Sequence, residues 1–105
     1  MIDWDRVTEL KAEVGEEDFA EVVALFLDEV AEELATLGES DGAEALAARL
    51  HFLKGSALNL GLARFSELCR SGEIAAARGD PGAVELEPIR SCFAESRQAL
   101  LDMIA

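Results

Sequence analysis

The sequence predicts an all-α fold, namely an antiparallel up-and-down four-helix bundle with a short extra helix at the N-terminus. Apolar residues recur at the helical period almost throughout the 105 residues, and no segment shows the strict alternation of a strand. Half of the residues are hydrophobic, which is enough to bury one modest core. Short connections separate the long amphipathic segments, which favours antiparallel neighbours. We expect a single domain over residues 1–105.

The first two predicted helices are bounded by caps and glycines. The first runs from Trp4 to Val14, with Asp3 as its N-cap and Gly15 at its end. The second runs from Asp18 to Leu37 and ends at Gly38. Its apolar residues are three or four positions apart, the spacing of one helix face. They are Phe19, Val23, Phe26, Val30, Leu34 and Leu37.

The third predicted helix contains a core stripe and the only histidine of the chain. We expect Asp41 to cap it, with Glu44 three residues later completing a capping box, and Gly61 to end it after Leu60. A stripe with spacings of three and four residues faces the core. It comprises Leu46, Leu50, Leu53, Ala57 and Leu60.

Two further helices complete the predicted bundle. The fourth covers residues 62–78 and is interrupted at Gly72, and the segment GDPG then forms a turn. Pro88 lies near the first turn of the last helix, where a missing N–H group does no harm. That helix extends to Met103.

His51 lies on a different face of the third helix from the core stripe. At spacings of three, four and seven residues it is accompanied by Ala47, Lys54, Gly55 and Leu58, and the same face, continued past the helix end, includes Leu62. Glycine inside a helix costs about 1 kcal/mol relative to alanine. One explanation is that Gly55 leaves a clearing beside the imidazole, and the other is that it permits close helix packing.

These residue types are suited to phosphoryl transfer. A neutral imidazole is a nucleophile near neutral pH, and a phosphoryl group on a ring nitrogen is labile enough to be passed on. Lys54 places a positive charge where anionic phosphoryl oxygens would lie. Transfer depends mainly on positioning and charge stabilisation, so a carrier needs little more.

The charge, the hydropathy and the cysteine content of the chain limit its possible partners, its location and its metal sites. The net charge of −13 argues against nucleic acid and anionic membranes as partners. No apolar run is long enough to span a bilayer, and the first residues lack the pattern of a signal peptide, so we expect a cytoplasmic protein. Cys69 and Cys92 are interpreted as buried free thiols, although a disulfide stays open. One histidine and two scattered cysteines do not predict a zinc site.

The segment HFLKGSALNLG, residues 51–61, resembles the signature of the histidine phosphotransfer (HPt) domain. The signature is a histidine, a variable residue, an aliphatic residue, Lys, Gly, Ser or Ala, and a glycine six positions after the first. The segments DWDRVTEL, VGEEDF and LFLDEV before it, and LCRSGEIAAARGD after it, also resemble HPt domains. The resemblance therefore covers nearly the whole chain.

The resemblance implies a phosphocarrier that is not itself a kinase. His51 would accept the phosphoryl group on Nε2, Lys54 would stabilise it, and Gly55 would keep the site open. The implied partners are receiver domains of response regulators and a sensor or hybrid histidine kinase. The carrier would bind no cofactor or metal, because the Mg²⁺ belongs to the receiver. We expect a monomer.

Two positions depart from the commonest HPt pattern. Phe52 stands where a polar residue is more frequent, and Leu58 where a small one is frequent. Phe52 either packs against the first helix or, together with Ala47, Leu58 and Leu62, contributes to a docking surface for the partner. We favour packing for Phe52 and docking for Leu58.

Other functions are less well supported by the sequence. The main alternative is an HPt-like adaptor that binds receiver domains without transferring a phosphoryl group, which the complete set of His51, Lys54 and Gly55 argues against. A phosphatase or hydrolase would need a carboxylate pair or a Ser–His arrangement, and Ser56 lies on the far side of the helix from His51. A purely structural bundle leaves the histidine–glycine pattern unexplained.

Overall fold

The computed structural model of the protein describes residues 1–38 and 41–104. Within them the chain forms five α-helices and no strand, so the all-α prediction is confirmed. The helices are α1 (Trp4–Val14), α2 (Glu16–Thr36), α3 (Ala43–Leu60), α4 (Ala63–Ala77) and α5 (Leu86–Ile104), with a 3₁₀ turn at Pro81–Ala83. Helices α2–α5 form the bundle and α1 is the extra helix. None of the helices in this part of the chain has the length and apolar character needed to cross a membrane.

The core of the bundle is apolar and continuous. The side chains of Leu27, Leu50, Phe65 and Leu100 are fully buried, one from each of the four long helices. The rings of Phe65 and Phe93 pack at a tilt, with their centroids 5.4 Å apart. Helices α3 and α4 form the most extensively packed pair, and this pair carries His51.

The boundaries and inner face of α2 differ slightly from the prediction. The helix begins at Glu16 rather than Asp18, and acidic side chains in its first turn complement the helix dipole. It ends at Thr36, one residue before Leu37. Leu27 is buried in place of Phe26, which is only partly buried at the edge of the core.

The predicted capping box at the start of α3 is wrong. Gly42 occupies the N-cap and makes no side-chain cap. The Asp41 carboxylate instead accepts hydrogen bonds from Gly38 N, at 3.2 Å, and from Arg49 Nη1, at 2.8 Å. The Asp41 carboxylate therefore pairs with a cation two turns along α3 instead of capping the helix, and Glu44 takes no part in this pair.

Gly72 does not interrupt α4, contrary to the prediction. The helix is continuous from Ala63 to Ala77, and Gly72 is one of its buried residues. A Cβ atom at this position would lie 3.0 Å from Leu50 Cδ1 and 3.2 Å from Val84 Cγ1. The glycine therefore permits close packing between α4, α3 and the segment before α5.

Helix α1 is attached to the turn between α3 and α4. Asp3 N donates to Gly61 O at 2.7 Å, and Arg64 N donates to Met1 O at 3.1 Å. Gly61 ends α3 in the left-handed conformation, with φ of 80°, as the sequence predicts. The extra helix thus holds the end of the histidine-bearing helix.

Candidate functional site

His51 projects from the outer face of α3 and is well exposed. Its side chain retains 67% of its accessible surface. It lies one position after Leu50, which is fully buried, so the core stripe holds the backbone while the ring points to solvent. The prediction that His51 is not a core residue is confirmed.

A carboxylate from α4 joins His51 to Lys54. Glu73 Oε2 lies 3.0 Å from His51 Nδ1, and Glu73 Oε1 accepts a hydrogen bond from Lys54 Nζ at 2.9 Å. The side chains of Lys54 and Glu73 are 24% and 23% exposed, so this ion pair is partly shielded from water. The two oxygens of the Glu73 carboxylate therefore hold the side chains of His51 and Lys54, which both belong to α3.

The contact with Glu73 determines which nitrogen of His51 is available. An ionised carboxylate only accepts hydrogen bonds, so Nδ1 must carry the proton in this contact. In the neutral ring the lone pair is then on Nε2, which makes no hydrogen bond with any residue in the described part of the chain. Nε2 is therefore the ring nitrogen that Glu73 leaves unbound.

The electrostatics of the site keep Glu73 ionised. The hydrogen bond from Lys54 is the largest influence and lowers the pKa of Glu73, and the hydrogen bond from His51 acts in the same direction. Partial burial opposes them but does not reverse the shift. The site thus combines the ionised carboxylate of Glu73 with the side chains of Lys54 and His51.

The surroundings of Gly55 argue against the packing explanation for a glycine inside α3. A Cβ atom at this residue would meet nothing within 4 Å, and the residue is exposed. Gly55 therefore packs closely against none of the residues that the structure describes, in contrast to Gly72. The space beside it is open on the same face of α3 as His51, four residues away.

The predicted docking residues differ in exposure. Leu58 and Phe52 are exposed, at 55% and 42%, and Ala47 is half-buried against the core. The exposure of Phe52 does not fit the packing interpretation that we favoured. Leu62 is fully buried, so its prediction as a surface contact is wrong. The left-handed Gly61 ends α3 before it and turns the chain, so that Leu62 N donates to Ala57 O at 2.9 Å.

Glu73 is the site residue that the sequence analysis missed. Two signals could have revealed it. It is the one acidic residue between Cys69 and Ala76, two buried positions of α4. In addition, antiparallel helices joined at Gly61 place residues about equally distant from the turn beside each other, which brings residue 73 near residue 51.

Other chemistry-bearing residues lie away from this site. Cys69 and Cys92 are buried free thiols, as interpreted from the sequence, and burial raises the pKa of Cys69 to about 12. A thiol in this state is a poor nucleophile. Within residues 1–38 and 41–104, no cluster of three or more His, Cys, Asp or Glu side chains could hold a metal ion.

Comparison with known proteins identifies one family. The model of the Hpt domain matches residues 21–105, which include the whole of α3, α4 and α5 and most of α2. Searches of curated proteins and of solved structures gave no match. Because the family model covers more than half of the sequence, the chain belongs to the Hpt domain family.

Proposed function

We propose that the protein carries a phosphoryl group on His51 between receiver-domain aspartates of a hybrid or sensor histidine kinase and a response regulator. Hpt domains take part in phosphorelays through a histidine, and they are phosphocarriers rather than catalytic enzymes. The observation that carries the proposal is the hydrogen bond between Glu73 and His51 Nδ1, which leaves Nε2 without a partner among the described residues, on a side chain that is 67% exposed.

The transfer step follows from this geometry. The Nε2 lone pair attacks the phosphorus of an aspartyl phosphate, the N–P bond forms, and the P–O bond to the aspartate breaks. The aspartate leaves as a carboxylate. The phosphorylated ring keeps its Nδ1 proton and gains positive charge, which the adjacent Glu73 carboxylate stabilises.

In this proposal Lys54 donates hydrogen bonds to the phosphoryl oxygens and stabilises their negative charge. Its ammonium group has three donors, and the one bond to Glu73 leaves two for the incoming group. Because Lys54 lies one helical turn from His51, its charge is near the ring without blocking it. Gly55 leaves room for the active site of the receiver.

The proposed role as a phosphocarrier also implies the partners and the location of the protein. Receiver domains supply the aspartates and the Mg²⁺, and this chain supplies no metal ligand and binds no cofactor. We further propose that the protein works as a monomer in the cytoplasm, has no autokinase activity, and does not bind nucleic acid or membranes. Ala47, Phe52 and Leu58 are proposed to contact the receiver.

A phosphotransfer assay tests the function. The protein and a His51→Gln variant are incubated with Mg²⁺ and a panel of receiver domains phosphorylated by radiolabelled acetyl phosphate. We expect acid-labile, alkali-stable label on the wild type and none on the variant. Receivers that bind but transfer no label would support the adaptor alternative instead.

A further inference from the structure

We infer that the groove between α2 and α5, on the side of the bundle away from His51, binds a basic amphipathic helix of a partner protein. The apolar stripe of that helix lies in the groove, and its Lys and Arg side chains lie along the acidic edges. Binding at this second surface does not depend on phosphoryl transfer at His51.

An apolar groove runs between α2 and α5, which pack far less closely on each other than α3 and α4 do. Leu34 and Phe93 form its floor, and both side chains are almost fully buried. Ala31, Ala35 and Arg90 complete the lining, and the groove has a volume of about 220 Å³. Because the side chains of Ala31 and Ala35 are small, the backbone of a partner helix can approach α2 closely.

The apolar surface continues along α5 to Leu101. Arg97 pairs with Asp28 of α2 at 3.5 Å, so Arg97 lies on the side of α5 that faces α2. Leu101 is one helical turn further along the same side and is 37% exposed. Its position in this antiparallel pair is opposite Ala24, which is also exposed. Leu101 therefore offers apolar area that a partner helix would bury.

Acidic side chains line the α2 edge of the groove. They are exposed, and their spacings of four and seven residues place them on one face of α2. These residues are Glu17, Glu21, Asp28 and Glu32. The contact between Asp28 and Arg97 shows that this face borders α5. Helix α2 as a whole contains eight acidic residues and no Lys or Arg.

The two cations of α5 are engaged within the bundle. Arg90 donates hydrogen bonds to the backbone carbonyls of Leu34 and Leu37, at the end of α2. Arg97 pairs with Asp28. Helix α5 also contributes three acidic residues of its own. The edges of the groove therefore present mainly negative charge to a partner.

This charge determines which class of partner fits the groove. A second copy of the chain, an anionic membrane and nucleic acid are all repelled, because the chain has a net charge of −13. A helix with an apolar stripe flanked by Lys and Arg matches both the apolar lining and the acidic edges. Because the α2–α5 pair lies opposite the α3–α4 pair in the bundle, the bound helix leaves His51 uncovered.

The probe is a synthetic peptide of about 18 residues, with Leu and Ala on one helical face and Lys on the other. A peptide of the same composition in scrambled order has the same charge but no apolar stripe, and it is the control. We expect calorimetric titration to show that the amphipathic peptide binds at least about 10-fold more tightly than the scrambled one. In NMR spectra of the protein, we expect amide shifts to change at Ala31, Ala35 and Leu101 and not at His51.

Two matched pairs of variants locate the binding surface. Leu101→Gln and Leu58→Gln each remove an exposed leucine, the first beside the groove and the second on α3. Glu32→Lys and Glu67→Lys make the same change of charge, the first at the α2 edge of the groove and the second on α4. We expect the first member of each pair to weaken binding of the amphipathic peptide roughly 3- to 10-fold, and the second less than about 2-fold. Melting curves check that each variant is folded.

Three results would overturn the inferred binding surface. Equal affinity for the two peptides would mean that binding follows net charge alone, and so would equal effects within the Glu32 and Glu67 pair. Amide shifts centred on α3 and α4, or a larger loss for Leu58→Gln than for Leu101→Gln, would place the peptide on the other side of the bundle. Because none of these measurements uses phosphoryl transfer, a failure of the proposed function would leave them unchanged.

Discussion

At the scale of single residues, Glu73 connects the chemistry of the site to the fold. It comes from α4, whereas both of its partners come from α3, so the geometry of the imidazole depends on the packing of the two helices. A carboxylate in this position selects the tautomer of the ring and stabilises positive charge on it. We regard Glu73 as a positioning residue, because it acts through His51.

Replacing Glu73 with Gln separates the charge of this residue from its shape. The amide oxygen of Gln accepts the Nδ1 proton but cannot balance positive charge on the phosphorylated ring. We expect transfer from a phosphorylated receiver to be roughly 10-fold slower, with receiver affinity changed less than about 2-fold. Single-turnover kinetics at saturating receiver measure the first quantity and equilibrium binding measures the second. A loss confined to affinity would place Glu73 in docking instead.

The same residue predicts how stability depends on pH. The pKa of Glu73 is lowered in the folded protein, mainly by Lys54, from an ordinary value of 4.5. A lowered folded-state pKa contributes stability that is present above the unfolded-state pKa and lost as the pH falls through the folded-state value. We expect Glu73→Gln to be less stable than the wild type at pH 7, and this difference to shrink at pH values below about 4.5.

Urea unfolding of both proteins at neutral and acidic pH measures this difference. Glu67→Gln is the control, because Glu67 is 71% exposed and pairs only with Arg64, three residues away on the same helix. An exposed pair of this kind contributes little. A stability difference for Glu73→Gln that is the same at both pH values would contradict the ion pair with Lys54.

At the scale of helices, the two internal glycines have opposite roles. Gly55 faces open space, whereas Gly72 packs against Leu50 and Val84. We expect Gly55→Ala to raise the free energy of unfolding by about 1 kcal/mol, because alanine favours the helix and meets no neighbour. Gly72→Ala gains the same propensity but crowds the core, so we expect it to be at least about 1 kcal/mol less stable than Gly55→Ala.

Denaturant unfolding of the two variants tests this contrast, and the transfer assay adds a functional check. We expect Gly55→Ala to slow phosphoryl transfer although it is the more stable protein, since the added methyl group narrows the clearing beside His51. If Gly55→Ala destabilised the protein, the packing explanation for this glycine would stand.

The helices themselves were largely predictable, because their signals are local. The apolar period and the flanking residues gave α1 its bounds, Trp4 to Val14, and gave α3 its end at Leu60. The errors arose where a distant partner overrides a local preference. Asp41 pairs with Arg49 instead of capping α3. Gly72 stays within a continuous helix, where close contacts from other segments leave no space for a side chain.

The candidate site was predictable only in part, for the same reason. His51, Lys54 and Gly55 share one helix, so spacing alone places them on one side of α3. Glu73 belongs to the next helix and is brought in by tertiary packing. Leu62 was misplaced because the helical wheel was extended past Gly61, where the left-handed turn ends the helix.

At the scale of the whole molecule, the Gly61 turn joins the extra helix to the bundle. A Cβ atom at Gly61 would lie 2.7 Å from Asp3 O and 3.0 Å from Val7 Cγ2, and φ is 80°. Gly79 has a similar φ of 83° but open surroundings. We expect Gly79→Ala to lower the free energy of unfolding by about 1 kcal/mol, because alanine is strained in the left-handed conformation. We expect Gly61→Ala to lower it by at least about 2 kcal/mol more, because α1 must also shift.

Thermal unfolding of these two variants separates the conformational cost from the clash. Equal destabilisation would mean that α1 does not pack on the turn as described. The comparison also tests whether residues 1–20, which lie outside the match to the family model, are an integral part of this fold.

We propose that His51 accepts a phosphoryl group on Nε2 because Glu73 holds Nδ1, and one measurement tests this most directly. His51 is the only histidine in the chain, so nitrogen-15 NMR of the imidazole gives a single, unambiguous set of signals. We would record these spectra before and after phosphorylation by a labelled receiver. We expect a proton on Nδ1 in the free protein and phosphorus coupling at Nε2 afterwards. A proton on Nε2 in the free protein, or a phosphoryl group on Nδ1, would contradict this proposal.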